Sequence, residues 1–143
     1  MSPVHFVVLG LSQAVDDHVI REACNRDGVP ILRRCSAGGC VLQGPGCLNY
    51  SLILRTDRPG CETIHASYRT ILGSLADALV RLGHRVEPAG ISDLAVDGRK
   101  VSGSVQRRRR RFFLHHGTLL INFDLSLFSR YLCEPAEIGR AHV

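Results

Sequence analysis

The dipeptide Asp97-Gly98 follows a short strand-like run at residues 93–96, and an Asp-Gly pair in that position is a signal for a β-hairpin. The run after the turn carries Lys100, with Gly98 before it and Gly103 after it. Glycine weakens a strand and usually marks a bulge or a place where a ligand comes close to the backbone. We therefore expect a hairpin in which the lysine can point its ammonium group at an anion.

The rest of the hydrophobic pattern predicts strands interrupted by helices. Strands are expected at residues 5–10, 29–33, 40–43, 48–55, 85–87, 93–96, 98–106 and 111–120. Helices are expected at residues 12–27, 61–82 and 125–132, with Asp124 as a candidate N-cap of the last. The long helix has one apolar face, formed by Ile64, Tyr68, Ile71, Leu72, Leu75, Leu79 and Leu82. This order of elements indicates the α+β class, a sheet with helices on one face.

The length of 143 residues suits one domain with its own hydrophobic core. No apolar run reaches the ~20 residues of a membrane span, and the first residues lack the basic-then-apolar order of a signal peptide. The six cysteines form no C-x-x-C pair, which disfavours a zinc ribbon or a redox motif. Free thiols in a reducing compartment are expected, so the sequence predicts a cytoplasmic protein.

The net charge is +5, and much of it lies in five consecutive arginines, Arg107 to Arg111. Such a run attracts nucleic acid, an anionic membrane or an acidic protein, or it is simply the solvated end of a hairpin. No aromatic residues are interleaved with the arginines to stack on bases, which disfavours nucleic acid.

A second candidate site for an anion follows the strand at residues 29–33. Arg33 and Arg34 precede the segment Cys-Ser-Ala-Gly-Gly at residues 35–39. Glycines let main-chain N–H groups approach an anion, and arginine offers fork-shaped donors that suit carboxylate or phosphate. The segment lacks the G-x-x-x-x-G-K-[ST] pattern of a Walker A loop.

Four segments of the chain, at residues 33–39, 44–51, 98–106 and 115–120, resemble ordered blocks of the lipoate-protein ligase and biotin-protein ligase catalytic-domain family. The resemblance implies a mixed, mainly antiparallel sheet with helices packed on it, similar to the class II aminoacyl-tRNA synthetase and biotin synthetase-like fold. The first family block reads Arg-Arg-x-Ser-Gly-Gly-Gly, and Ala37 replaces its first glycine here. If that position needs a positive φ, alanine costs about 1 kcal/mol or somewhat more.

The resemblance also implies an activity, ATP-dependent attachment of lipoate or octanoate to an acceptor protein through an acyl-adenylate. Lys100 is then the catalytic cation that neutralises charge as the carboxylate attacks the α-phosphate of ATP, and Mg²⁺ is expected to accompany the nucleotide. The nucleotide site implied by the family consists of Arg34 and the backbone of Gly39, Cys40, Val41 and Leu42. The implied substrate pocket consists of Arg33, Ser36, Gly38, Gly103, Ser104, His116 and Gly117. The acceptor is a lipoyl domain, and Asp93 orients a metal or the adenine, or caps a turn.

Three alternatives stay open from the sequence. A related octanoyltransferase uses no ATP and needs a cysteine nucleophile; the stretch at residues 86–91, where one branch carries it, has no cysteine, although Cys35, Cys40, Cys47 or Cys61 could serve. A biotin ligase would carry a Gly-Arg-Gly-Arg loop, which is missing. A protein without catalytic activity could instead bind acidic partners through the arginine run.

Both ends are expected to depart from a complete family member. Residues 137–143 resemble the translation of a sequencing adapter, so we expect them to be non-native. Family members usually carry a helix and a strand before the part that matches residues 5–10. The sequence therefore predicts a partial catalytic domain at residues 1–136, truncated at both ends.

Overall fold

The computed structural model describes residues 4–133, and the expected non-native tail lies outside them. The chain divides into two compact units. Within the described residues, the first unit comprises 4–47 and 121–133, and the second comprises 48–120. None of the helices at residues 4–133 combines the length and the apolar character needed to cross a membrane.

The elements are, in chain order, β1 (Phe6–Leu9), α1 (Val15–His18), α2 (Arg21–Asp27), β2 (Ile31–Arg33), β3 (Val41–Gln43), β4 (Cys47–Arg55), α3 (Ile64–Arg81), β5 (Glu87–Ala89), β6 (Asp93–Val96), β7 (Arg99–Arg108), β8 (Phe112–Leu120) and α4 (Ser126–Tyr131). Every predicted strand is present, with bounds that differ by a few residues. The expected α+β class is confirmed.

The first unit is built on a three-stranded sheet in which β1 is central, parallel to β2 and antiparallel to β3. Its core joins β1 and β3 to the helices α2 and α4. The core residues are Val7, Leu9, Val19, Ala23, Cys24, Val29, Leu42 and Tyr131. Alternate residues of β1 enter this core, as the period of two predicts.

The single helix predicted at residues 12–27 is wrong, because the structure has two short helices there. Val19 takes an extended conformation between them and forms an isolated bridge with Leu132. The neighbouring N–H of Ile20 donates to the carbonyl of Tyr131 at 2.9 Å. A contact distant in sequence therefore interrupts a helix that local propensity alone would continue.

The second unit holds a five-stranded sheet in the order β4-β8-β7-β6-β5. The pairs β5–β6, β6–β7 and β7–β8 are antiparallel. The predicted turn between β6 and β7 is confirmed, with φ of 49° at Asp97 and 74° at Gly98. Two successive positive φ values match the type I′ turn that suits the twist of a hairpin.

Helix α3 packs on one face of this sheet and supplies its core. It begins after Thr63, whose hydroxyl accepts from the N–H of Ala66 at 3.1 Å. Tyr68 and Leu72 meet Leu94 and Leu119 of the sheet in one cluster. The predicted apolar face is thus confirmed in its middle, but its ends are not buried. Exposure is 52% at Ile64 and 73% at Leu82.

The last helix also begins one residue later than expected. Leu125 is the N-cap of α4, and its side chain makes no capping bond. Asp124 lies just before it, and its carboxylate accepts from the N–H and the hydroxyl of Ser126 at 3.0 and 2.7 Å. The predicted acidic residue therefore stabilises the helix start from the position before the cap.

Candidate functional site

Lys100 lies at an irregularity in the pairing of β6 with β7. The register passes from Leu94↔Ser102 to Ala95↔Lys100, so β7 carries one extra residue, Val101. The ammonium nitrogen of Lys100 is 2.9 Å from Oδ2 of Asp93, in an ion pair whose lysine side chain is 45% exposed. The glycine-flanked lysine predicted from the sequence is thus held by a carboxylate and remains accessible to solvent.

Gly103 makes room for this ion pair. A Cβ at that position would lie 3.3 Å from Cε of Lys100 and 3.6 Å from Oδ1 of Asp93. Ser92 donates to the same Oδ1 at 3.2 Å. The glycine after the lysine therefore lets the lysine side chain fold back over its own strand toward Asp93.

Further polar residues share this face of the sheet. Thr118 is paired with Gly103, and His116 is paired with Val105, and side chains of directly paired residues project to the same side. The hydroxyl of Thr118 donates to Oδ1 of Asn49 at 2.7 Å. The structure therefore brings the predicted residue His116 onto the side of the sheet where Lys100 lies over Gly103.

Ser104, another predicted pocket residue, lies on the opposite face. It is buried, and its hydroxyl donates to the carbonyl of Ser92 at 2.8 Å. The same face carries Ser102, Gln106 and His115, because they alternate with the residues of the first face. Helix α3 covers this side of the sheet, so the hydroxyl of Ser104 contributes to structure on the side away from Lys100.

Gly117 has no side chain and therefore leaves room for the side chain of Tyr50 of β4. A Cβ at residue 117 would lie 2.6 Å from Oη of Tyr50 and 2.8 Å from the carbonyl oxygen of Gly103. The tyrosine side chain thus crosses β8 at its glycine. Burial raises the pKa of Tyr50, so its hydroxyl is neutral at physiological pH. Tyr50 lies within the strand predicted at residues 48–55, but the sequence does not predict its passage over Gly117.

Replacing Gly117 with alanine is expected to destabilise the protein by about 1–3 kcal/mol, because the added methyl group overpacks a filled site. The free energy of unfolding from urea titration measures this effect. Gly73→Ala on α3 is the matched control, since a Cβ there has open space within 4 Å and alanine favours a helix by about 0.5–1 kcal/mol. Equal midpoints for the two variants would contradict the packing role.

His115 is a buried residue outside the set of candidates that the sequence predicts. It is fully buried, with 0% exposure. Burial, assisted by the nearby His116, lowers the pKa of His115 to about 4. The alternation along β8 could have found it, because it shares its phase with the buried residues Phe113 and Leu119.

In the first unit, the side chain of Arg33 forms hydrogen bonds with the backbone. Its Nη1 donates to three carbonyls of the loop after β1, at 2.8 Å to Gly10, 3.1 Å to Leu11 and 2.7 Å to Gln13. A guanidinium group with that many carbonyl partners holds a loop in place. The predicted role of Arg33 in a substrate pocket stays a prediction.

Arg34 is partly engaged with the loop that follows it. Its Nη2 donates to the carbonyl of Ala37 at 2.9 Å, and Nη1 lies 3.4 Å from the carbonyl of Val8. Its Nε is buried and has no hydrogen-bond partner within residues 4–133. Burial also lowers the pKa of Arg34. A buried donor without a partner suits the predicted contact with an anion.

The loop at residues 35–39 has its left-handed residue at Gly38, with φ of 99°. Asp97 is the one non-glycine residue with positive φ in the described chain, so the expected strain at Ala37 does not arise. Gly10 allows the loop to approach, since a Cβ there would lie 2.0 Å from the carbonyl oxygen of Gly38. The alanine is therefore compatible with the loop.

The other predicted residues of this unit differ in burial. Gly39 and Val41 are exposed, Cys40 is half-buried, and Leu42 is part of the core. Ser36 is buried, and its carbonyl accepts from the N–H of Leu11 at 2.9 Å. The side chain of Leu42 is thus taken up by the core, and the predicted contact of its backbone with a nucleotide stays a prediction.

The first unit therefore holds Arg33, Arg34 and the glycine loop, and the second holds Lys100 with Asp93 and His116. The family model described as the lipoyl protein ligase A/B catalytic domain matches residues 4–143. The chain belongs to this family.

Two curated relatives of the catalytic domain illustrate its range. The chain is 30% identical to lipoate-protein ligase LplJ of Bacillus subtilis (strain 168), over 81% of the chain and 34% of the relative. It is 36% identical to an octanoyl-[GcvH]:protein N-octanoyltransferase of Kyrpidia tusciae, over 68% of the chain and 40% of the relative. The chain thus spans roughly a third to two fifths of the length of these proteins.

Two solved structures share the fold of this chain. A bipartite lipoate protein ligase from Thermoplasma acidophilum, described with its E2 lipoyl domain, superposes with a TM-score of 0.84 at 26% identity, covering 93% of this chain and 52% of that one. A lipoate-protein ligase A bound with ATP superposes with a TM-score of 0.82 at 25% identity, covering 92% and 56%. The predicted resemblance to the class II synthetase-like fold is confirmed.

Burial disfavours the thiolate form of some of the cysteines. Burial raises the pKa of Cys40 to about 11, and burial also raises the pKa of Cys47. Cys61 is fully buried, whereas Cys35 is exposed in the loop after Arg34. Within residues 4–133, no three His, Cys, Asp or Glu side chains are grouped to hold a metal ion.

Proposed function

We propose that this chain carries the catalytic residues of an ATP-dependent lipoate-protein ligase. It activates the carboxylate of lipoate or octanoate as an acyl-adenylate and transfers the acyl group to a lysine of a lipoyl domain. The observation that carries the proposal is the accessible ammonium group of Lys100, held by Asp93 at 2.9 Å over Gly103. An oriented cation of this kind is what a reaction between two anions requires.

In the first step, a carboxylate oxygen attacks the α-phosphorus of ATP and pyrophosphate leaves. Lys100 neutralises charge on the reacting carboxylate and phosphate, and the partly unpaired guanidinium group of Arg34 binds an anionic group of the nucleotide. In the second step, the amine of the acceptor lysine attacks the acyl carbonyl, AMP leaves with the bonding electrons, and the amine loses a proton. Lys100 also stabilises the oxyanion that forms at that carbonyl.

A transferase that works through a cysteine thioester is the second candidate, and the 36% identity with an octanoyltransferase favours it. The environment of the cysteines favours the ligase. A thioester needs a reactive thiolate, whereas Cys40 has a pKa of about 11 and Cys61 is fully buried. Cys35 remains the accessible thiol for this alternative.

The proposed substrates and partners have support from the solved relatives. One is described with its E2 lipoyl domain, and another is bound with ATP. Mg²⁺ would arrive with the nucleotide, because it is usually held by substrate phosphates and one or two carboxylates. Asp93 is the carboxylate beside Lys100 that fits this role. Cytoplasmic localisation stays a prediction from the sequence.

Exchange of labelled pyrophosphate into ATP tests the proposal directly. We expect exchange that depends on lipoate or octanoate, since the adenylation step is reversible and releases pyrophosphate. The competing mechanism is tested by incubating the protein with an octanoyl carrier protein and detecting an acylated cysteine by mass spectrometry. Acylation at Cys35 without any exchange would replace the ligase with the transferase.

A further inference from the structure

A line of polar side chains on the covered face of the second unit runs from Arg108 through Gln106 to His115. The guanidinium carbon of Arg108 lies 4.4 Å from the centre of the Phe113 ring. Its Nη2 donates to the carbonyl of Cys61 at 2.7 Å. Although Arg108 belongs to the run of five arginines, this side chain is directed into the unit and is held from two sides.

The same guanidinium group orients the side-chain amide of Gln106. Nη1 of Arg108 lies 3.3 Å from Oε1 of Gln106 and 3.2 Å from Oγ of Ser67. Because a guanidinium group has donors only, both oxygens must accept. An amide turned the other way would place its NH₂ group against the donors of Arg108. The amide oxygen therefore faces Arg108, and the NH₂ group faces away from it.

The amide NH₂ of Gln106 then determines where the proton of His115 resides. Nε2 of Gln106 lies 3.0 Å from Oγ of Ser67 and 3.1 Å from Nδ1 of His115. The hydroxyl of Ser67 donates to the carbonyl of Ile64 at 2.7 Å, so the serine oxygen is free to accept from the amide. The second amide hydrogen is directed at Nδ1, which accepts it only when that nitrogen carries no proton.

We propose that Arg108, acting through Gln106, is a positioning residue that fixes His115 as the neutral tautomer with its proton on Nε2. This nitrogen is buried and has no hydrogen-bond partner within residues 4–133, and the hydroxyls of Tyr50 and Ser102 lie on the same face of the sheet. The tautomer makes Nε2 a donor on the face where these two hydroxyls lie. A neutral hydrogen-bond donor, not a second cation, therefore lies on the covered face beside β7, the strand that carries Lys100.

This assignment goes beyond the proposed ligase function and stands for a transferase equally, because it concerns hydrogen bonds of the second unit alone. The rings packed on His115 are those of Tyr50 from β4, with centroids 5.9 Å apart, and Tyr68 from α3, at 5.4 Å. Within residues 4–133, the hydrogen-bond partner of Nδ1 is the amide of Gln106. The amide of Gln106 is thus the group that selects between the two tautomers.

Nitrogen NMR of the ¹⁵N-labelled protein at pH 7 tests the proposal, because protonated and unprotonated imidazole nitrogens have well-separated resonances. His115→Gln assigns the signals by their disappearance. We expect Nε2 of His115 to be protonated and Nδ1 to be unprotonated. A spectrum of the wild-type protein with the proton on Nδ1, or with both nitrogens protonated, would overturn the proposal without any further variant.

Gln106→Glu is the decisive variant. A carboxylate still accepts from Arg108 but cannot donate to His115, so Nδ1 must take up a proton and its resonance must move to the protonated range. The signals of His116 in the same spectrum serve as the control and should keep their type. If the backbone spectrum shows a folded protein and Nδ1 of His115 stays unprotonated, Gln106 does not select the tautomer and the positioning role is excluded.

Discussion

Lys100→Met is expected to lower the rate of pyrophosphate exchange by at least about 100-fold, the loss that follows removal of one well-placed group from a charge-stabilising site. Within residues 4–133, the ion pair of the ammonium group is with Asp93, and the lysine side chain is 45% exposed. The substitution should therefore leave the free energy of unfolding within about 0.5 kcal/mol of the wild type. The expected loss is in kcat.

Arg99→Met is the matched control for this variant. Arg99 is the preceding cation on β7 and is exposed, so its removal changes the net charge by the same amount. We expect its exchange rate to stay within about twofold of the wild type, since substitutions of exposed residues away from a site have little effect. A comparable loss in both variants would attribute the effect to net charge and would contradict the catalytic role of Lys100.

The second large effect is expected at acid pH. The pKa of His115 is lowered from 6.5 to about 4 in the folded protein, so the unfolded chain binds a proton that the folded chain excludes. The stability is fully present above pH 6.5 and is lost as the pH falls toward the folded-state pKa. One pKa unit corresponds to about 1.4 kcal/mol, so the loss approaches about 3 kcal/mol at pH 4. Urea unfolding at several pH values measures it.

His115→Gln should remove most of this acid sensitivity, because glutamine has no charge to gain. The groups around the ring are Gln106 of β7, Tyr50 of β4 and Tyr68 of α3, together with the neighbouring His116. His65→Gln on the exposed side of α3 is the control and should keep the pH dependence of the wild type. Parallel pH profiles for the two variants would show that another group causes the acid loss.

Much of the fold follows from local sequence signals. The hairpin at Asp97 and Gly98 is predictable because these residue types accept positive φ. The middle of α3 is predictable because its apolar residues repeat at helical spacing. The break at Val19 is not, since the bridge to Leu132 joins residues more than a hundred positions apart. Local propensity carries no information about such a partner.

The candidate site is likewise only partly predictable from the sequence. Lys100 and the arginine loop are recognisable from the sequence, because the segments that carry them resemble blocks of the family. The side of the sheet on which each residue lies is harder to predict from the sequence. Val101 adds a residue to β7 and changes the phase of the alternation at Lys100. Ser104, a residue of the implied substrate pocket, lies on the face covered by α3.

The sequence by itself determined the family and the α+β class and proposed Lys100 as the candidate lysine, since these depend on residue types and short-range spacing. The tertiary structure alone decided how the functional groups are held. It pairs Lys100 with Asp93 over Gly103, passes Tyr50 across Gly117 and buries His115 behind the hydrogen bonds of Gln106. Each of these contacts joins different strands, and their geometry exists only once the sheet has formed.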